Sequence, residues 1–383
     1  MREMRIRIIN LTFIILFLTG TLTLFLFARR QHGRVSAMEN RYYANPPRWQ
    51  REDGTWNDRF FLDFDDWISD NIRLRTVMVE QNAYIQHTLF GRITKRDERA
   101  NAEGELFYVT EADIRSFQHT DLLTDEERSQ FERGLQRLNN DLEKQGTKLY
   151  YMLCYGKQTI YPERFVEGVQ QVNTVSVSEQ IKEAVLTGTT VPWVPVDEVL
   201  IKEHDRTNLY YRVLDPAHWN EIGSFLGFHS LIETIRQDFP QVTEIVLDDY
   251  TYTEKESFRE IYGMVYPVPE VEPVVSLDNP KAEEVQLETF DGTLYDRMNY
   301  NEHTHFFINP QAGNELKILI IGDSYQRMDI KNYVAEHFAQ TLSVDSTNIY
   351  LAREIAAIYQ PDILVIENVN SDTAIRLLID GLI

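Results

Sequence analysis

An α/β fold, with helices on both faces of a central, mostly parallel sheet, is predicted by three features of this sequence. Apolar runs at Leu149–Leu153, Val242–Leu247, Ile318–Ile321 and Ile363–Ile366 have the length and composition of strands buried on both faces. At least one helical pattern separates each run from the next, which is the crossover that parallel neighbours require. Joints between helix and strand are marked by Gly146 ahead of Leu149 and by Pro361-Asp362 ahead of Ile363.

Composition narrows the function. Hydrophobic residues make up 43% of the 383 and charged residues 26%, enough for a sizeable core in one large domain with insertions. A net charge of −22 argues against a nucleic-acid partner, because the phosphate backbone rewards the opposite sign. Cys154 is the only cysteine, so an intramolecular disulfide and a thiolate metal site are excluded.

At the N-terminus, Ile8–Ala28 carries no charge and is long enough to cross a hydrocarbon core as a helix. It exceeds a signal-peptide apolar region, and the small-residue stretch Val35-Ser36-Ala37 lies well beyond it. An uncleaved single-pass anchor is expected, with residues 1–34 as tail and anchor, 35–58 as a linker and 59–383 as the large domain. Arginines flank both sides of the span, so charge does not orient it.

Phe60–Phe90 is predicted helical, with Phe64, Trp67, Ile68, Ile72, Val79 and Ile85 as core positions, and Gly104–Val109 suits a short strand. Thr124 and Glu127 form a capping box that opens a helix with Phe131, Leu135, Leu138 and Leu142 on one face. That helix leads into Leu149–Leu153, the first α/β step. The loop Tyr155–Glu163 then lies at the carboxyl edge of the sheet, where α/β sites form. Lys157 and Tyr161 are candidates there to approach a substrate; the alternative is a solvated lysine and a packing tyrosine. Glu179–Leu186 reads as a helix, Trp193–Val196 as a strand and Asn220–Phe239 as a helix. Tyr250–Phe290, with four prolines and many glutamates, reads as a surface insertion covering one side of the site, within an insertion spanning about 250–300. His303 and His305 would share one face of a strand, but no third ligand is suitably spaced, so no metal is expected. Ile349–Tyr359 and a segment from Ser371 complete the helices.

The chemistry converges on K-I-L-I-I-G-D-S-Y, Lys317 to Tyr325. Gly322 ends an apolar strand, and a helical pattern follows over Asp329–Gln340, with Ile330, Val334 and Phe338 in phase. Ser324 is thus placed at a strand-to-helix turn at the sheet edge, beside the positive end of a helix dipole, as a nucleophile needs. Gly322, Asp323 and Tyr325 beside it are candidates for oxyanion or substrate contacts. A nucleophilic serine needs a base. His218 follows Asp215 by three residues, so that the carboxylate can fix the ring's tautomer through Nδ1 and leave Nε2 to the serine. Trp219, next to it, is a further substrate-contact candidate.

G-D-S-Y after an apolar strand, with an upstream D-P-A-H-W, resembles the SGNH-hydrolase superfamily, and within it the AlgJ/AlgX-like alginate O-acetylation branch with its DHHW-motif proteins. W-I-S-D-N-I-R-L-R at Trp67–Arg75, G-E-L-F-Y at Gly104–Tyr108 and G-K-Q-T-I-Y-P-E at Gly156–Glu163 extend the likeness over most of the chain. Two departures are visible. Pro216 and Ala217 separate the acid and the histidine where the branch has one residue, and Val344–Asn348 reads V-D-S-T-N where it often has an arginine.

The resemblance implies an SGNH-like three-layer α/β/α domain outside the cell, held at the cell membrane by the N-terminal helix. It implies a catalytic Ser324, His218 and Asp215 that move acetyl groups onto a polysaccharide, with no cofactor because an acyl-serine carries the group. The expected partners are the polysaccharide and a multi-pass membrane O-acyltransferase that delivers acetyl groups. Two other readings stand beside it: a carbohydrate acetylesterase with the same triad, and a non-catalytic glycan-binding or assembly protein on the same scaffold.

Overall fold

A computed structural model describes residues 10–16, 18–19, 34–36, 41–51, 54–72, 75–95, 97–261, 264–287, 297–298, 304–326 and 330–382. The chain divides into two compact units, Met1–Arg96 with Arg259–Pro267, and Asp97–Phe258 with Val268–Ile383.

The larger unit is built on one sheet. In chain order its principal strands are β1 (Lys148–Cys154), β2 (Trp193–Val194), β3 (Tyr250–Ser257), β4 (Glu270–Leu277), β5 (Glu283–Glu284), β6 (His305–Ile308), β7 (Lys317–Gly322), β8 (Gln340–Asp345) and β9 (Ile363–Val369). Strands β3 and β4 form a separate antiparallel ribbon, and the remainder lie in the order β5-β6-β8-β7-β9-β1-β2. Pairing is parallel from β8 through β2, and antiparallel only at the β5-β6-β8 edge. Ile318–Ile321 lies opposite Ile363–Ile366, and both runs are fully buried. Successive residues of β1 show the helices on both faces. Tyr150 donates to Asp238 Oδ2 at 2.7 Å at the end of the helix Glu221–Asp238, while Tyr151 meets Phe131 of the helix Asp125–Glu143 edge-on at 5.6 Å. Thr124 and Glu127 make the reciprocal capping box that starts the latter helix.

Several expectations are corrected. Among the described residues no helix is long and apolar enough to cross a membrane, which overturns the single-pass anchor and the cell-membrane placement drawn from it. Of Ile8–Ala28, only residues 10–16 and 18–19, which are helical, fall within the described residues. Val242–Leu247 is not a strand: Val242 and Ile245 are buried, but Thr243 and Glu244 interrupt them and the segment is turn and coil. The parallel position beside β7 belongs instead to β8, whose buried Thr341 and Ser343 hid it from an apolar-run criterion. The helix expected over Asp329–Gln340 is one turn, Ile330–Tyr333, then a 3₁₀ turn, Ala335–His337. Ile330, Val334 and Phe338 are buried nonetheless.

In the smaller unit the helical reading of Phe60–Phe90 resolves into Phe60–Asn71 and Arg75–Phe90. Phe64 and Ile85 are exposed there, and Trp67, Ile68, Ile72 and Val79 are half-buried, so none is the core position expected. Within the stretch read as an insertion, Tyr250–Ser257 and Glu270–Leu277 form a regular two-stranded ribbon, with Pro273 accommodated in β4.

Candidate active site

The carboxyl end of β7 builds the turn that carries Ser324. A side chain at Gly322 would place its Cβ 2.3 Å from Glu367 Oε2, so only glycine admits this close approach. Glu367 Oε2 accepts the Asp323 N–H at 2.9 Å, while the Asp323 carboxylate takes the N–H groups of Tyr325 and Val369. Gln326 reaches back to the Gly322 and Val344 carbonyls at 2.7 and 3.1 Å. Burial raises the pKa of both Asp323 and Glu367, and in Glu367 the nearby Asp323 charge adds to it. The Ser324 N–H has no acceptor among the described residues, which leaves it free to meet an oxyanion. The single-turn helix that follows offers no sustained dipole, contrary to the expectation from sequence.

The facing histidine sits on a loop pinched at its base. Asn220 N donates to Leu209 O at 2.9 Å, Tyr211 N to His218 O at 3.3 Å, and Asn220 also caps the helix Glu221–Asp238. Asp215 Oδ1 accepts the N–H groups of Ala217 and His218 at 2.8 and 2.9 Å, and Oδ2 lies 3.0 Å from His218 Nδ1. The two intervening residues, Pro216 and Ala217, therefore do not withdraw the carboxylate. His218 Nε2 is 2.8 Å from Ser324 Oγ. Burial alone would push the Asp215 carboxyl up, but the side chain and charge of His218, with the two backbone N–H groups, hold it well below the usual carboxylate range.

A cavity of about 190 Å³ opens beside the serine and histidine, and Gln158, Ser116, Asn370 and Ser371 share its lining. No residue of the ribbon β3–β4 lines it.

The other candidates divide by what they touch. Tyr325 donates to Ala217 O at 2.9 Å and its ring lies 5.0 Å from that of His218, so it braces the loop. Trp219 is buried between Tyr325, at 5.0 Å, and Gly227, where a Cβ would come within 2.7 Å of its ring. Neither Lys157 nor Tyr161 reaches the cavity. Lys157 is fully buried, donating to the carbonyls of Leu106, Tyr211 and Arg212 and lying 3.7 Å from Glu105. Tyr161 accepts the Leu209 N–H at 3.0 Å beneath the histidine loop. His305 pairs with Glu284 at the far sheet edge, His303 lies outside the described residues, and no metal-binding cluster occurs among the described residues.

Sequence reasoning missed Gln158 and Asn370, although both follow the carboxyl ends of central strands, where a search for site residues begins. Asn370 is committed to structure, accepting from Gly156 N and donating to Thr159 and Ser178. The Gln158 amide has no partner among the described residues.

A three-layer α/β domain with a serine at the carboxyl edge of its sheet, facing a histidine from a separate loop, is an SGNH-hydrolase-like protein. Residues 106–348 match the family model described as ALGX, SGNH hydrolase-like domain, acetyltransferase AlgX, and the chain belongs to that family. Bacillus cereus PatB1, solved with a sulfonyl adduct, shares the fold at a TM-score of 0.52 with 15% identity, covering 73% of this chain and 96% of its own. A DHHW family protein from Eubacterium siraeum does so at 0.51 with 13% identity, over 74% and 96% of the two chains. No significant match is found among curated proteins.

Proposed function

We propose that this protein is a serine-dependent O-acetyltransferase that modifies a polysaccharide through an acetyl-serine at Ser324. The observation that carries the reading is the continuous line Asp215 Oδ2, His218, Ser324 Oγ, with separations of 3.0 and 2.8 Å, opening on a cavity of about 190 Å³. Membership of a family described as acetyltransferase AlgX supports acetyl as the transferred group, and a polysaccharide acceptor is what the resemblance to the alginate O-acetylation branch suggests. A multi-pass membrane O-acyltransferase is the donor partner that the family resemblance suggests.

Ser324 Oγ attacks the acetyl carbonyl of the donor as its proton passes to His218 Nε2. The tetrahedral oxyanion meets the Ser324 N–H, and the Gln158 amide, which lines the same cavity, serves in this reading as a second donor. Collapse breaks the donor's acyl bond, and His218 returns the proton to the leaving group. A sugar hydroxyl then enters, gives its proton to His218 and takes the acetyl, and the proton goes back to Ser324 Oγ. Asp215 stays ionised throughout and stabilises the imidazolium.

The test offers an activated acetyl ester together with an oligosaccharide and follows both acetylated sugar and free acetate. Acetylated sugar is expected from the parent. Ser324→Ala and His218→Ala are each expected to remove it by roughly three orders of magnitude, with the double variant little worse. Free acetate alone would identify the esterase reading, and no turnover of either kind would return the protein to the non-catalytic one.

A further inference from the structure

Glu270 belongs to the ribbon and touches neither the cavity nor the three residues above, yet its carboxylate is spent entirely on the histidine loop. Oε1 accepts the Arg212 N–H at 2.7 Å, and Oε2 accepts those of Val213 and Leu214, each at 2.8 Å. The side chain is 6% exposed, and burying a carboxylate is unfavourable unless its oxygens are met, as these are by three consecutive N–H groups. From the opposite side, Lys157 Nζ donates to the Tyr211 and Arg212 carbonyls. The strand of loop that enters Asp215 is thereby held by a buried charge of each sign.

Leu214 immediately precedes Asp215, and Pro216 follows it. Proline fixes its own φ and biases Asp215 toward an extended backbone, so a shift at Leu214 is passed on to the Asp215 carboxylate with little local slack. That carboxylate is 3.0 Å from His218 Nδ1, an ordinary hydrogen-bond length, and a displacement of about 1 Å would carry the pair beyond hydrogen-bonding range.

We propose that Glu270 is a positioning residue for the acid–base pair, clamping residues 212–214 so that Asp215 stays aligned on His218. The proposal rests on the reading of Ser324, His218 and Asp215 as the catalytic set. Its test compares the parent, Glu270→Gln, Asp215→Asn and the double variant in kcat and KM for acetyl turnover and in the rate at which a sulfonyl fluoride labels Ser324. Glutamine keeps the shape but turns a donor toward backbone N–H groups. Glu270→Gln is expected to lower kcat by about 10- to 100-fold, the scale on which a displacement of about 1 Å acts, with KM nearly unchanged. Asp215→Asn should likewise lower kcat with KM nearly unchanged, and adding Glu270→Gln to it should cost no more than about 2-fold further, since both act on one contact.

The parent kcat in Glu270→Gln, or a loss confined to KM, would overturn the proposal, as would an equal loss in the Asp215→Asn background. If the glutamine variant does not fold, Glu270→Asp, which keeps the charge and withdraws it by one methylene, carries the same comparison with a smaller expected loss. Asp215→Asn acting like the parent would instead defeat the catalytic reading itself.

Discussion

Gly322→Ala is the sharpest structural perturbation available, because the space it invades is already assigned. The new Cβ would sit 2.3 Å from Glu367 Oε2 and 3.0 Å from Gln326 Cδ. Neither neighbour can yield freely. Glu367 Oε2 is the acceptor for Asp323 N–H, and Gln326 is tied to the Gly322 and Val344 carbonyls and to Ser343 Oγ. Overpacking a tight core costs about 1–3 kcal/mol. Leaving the buried Asp323 N–H without its acceptor adds about 1–3 kcal/mol. At roughly 2 °C per kcal/mol for a domain of this size, the low end of that sum lowers Tm by at least about 4 °C. Because Asp323 and Ser324 follow directly, labelling of Ser324 by a sulfonyl fluoride should also slow by roughly an order of magnitude or more. Thermal unfolding and the labelling rate are read on the same samples. Combining Gly322→Ala with Glu367→Ala should destabilise by less than the sum of the two single changes, since the second removes the atom that the first strikes. A Gly322→Ala protein that melts within about 1 °C of the parent and labels at the parent rate would refute this account of the turn.

Stability should fall in acid through His337, whose Nδ1 is paired with Thr243 Oγ1 at 2.7 Å and whose pKa burial lowers from 6.5 to about 4. The sign follows from the unfolded chain binding the proton first. The contribution is intact above pH 6.5 and is lost as pH falls toward 4, by roughly 3 kcal/mol in all. Urea unfolding across that range checks it, and a His337→Gln protein should show a flatter profile; an unchanged slope would argue against a neutral buried ring. Gln158→Ala should lower kcat on the order of 100-fold, as loss of one oxyanion donor does, while leaving Tm alone because the amide has no partner among the described residues to lose. A loss confined to KM would instead make Gln158 a ground-state contact.

Continuous apolar strands were the legible part of the fold. Leu149–Leu153, Ile318–Ile321 and Ile363–Ile366 are adjacent parallel strands, because burial on both faces leaves no polar residue to obscure them. The strand β8 was illegible for the opposite reason, since the polar Thr341 and Ser343 are buried in it, Ser343 donating to Gln326 Oε1. Val242–Leu247 misled because residues that cap a core from coil look locally like a strand. At the site, Asp215, His218 and Ser324 could be picked out by residue type and spacing, and the structure brings them together. Lys157 and Gln158 are adjacent on one turn, and nothing in their order says which side chain faces the cavity and which goes underneath. Glu270 lies more than fifty residues beyond the loop it holds, in a ribbon that sequence reading treated as a covering insertion.

The account stands most directly on Ser324 as the atom that accepts the acetyl group. Brief exposure of the intact protein to an activated acetyl ester, followed by quenching in acid and peptide mass mapping, reads that step without any acceptor. The expected result is one acetyl group per chain, mapped to Ser324 in the parent, nearly absent in His218→Ala, and discharged when oligosaccharide is added. A parent that stays unmodified, or one acetylated equally at surface lysines and in the His218→Ala protein, would contradict it.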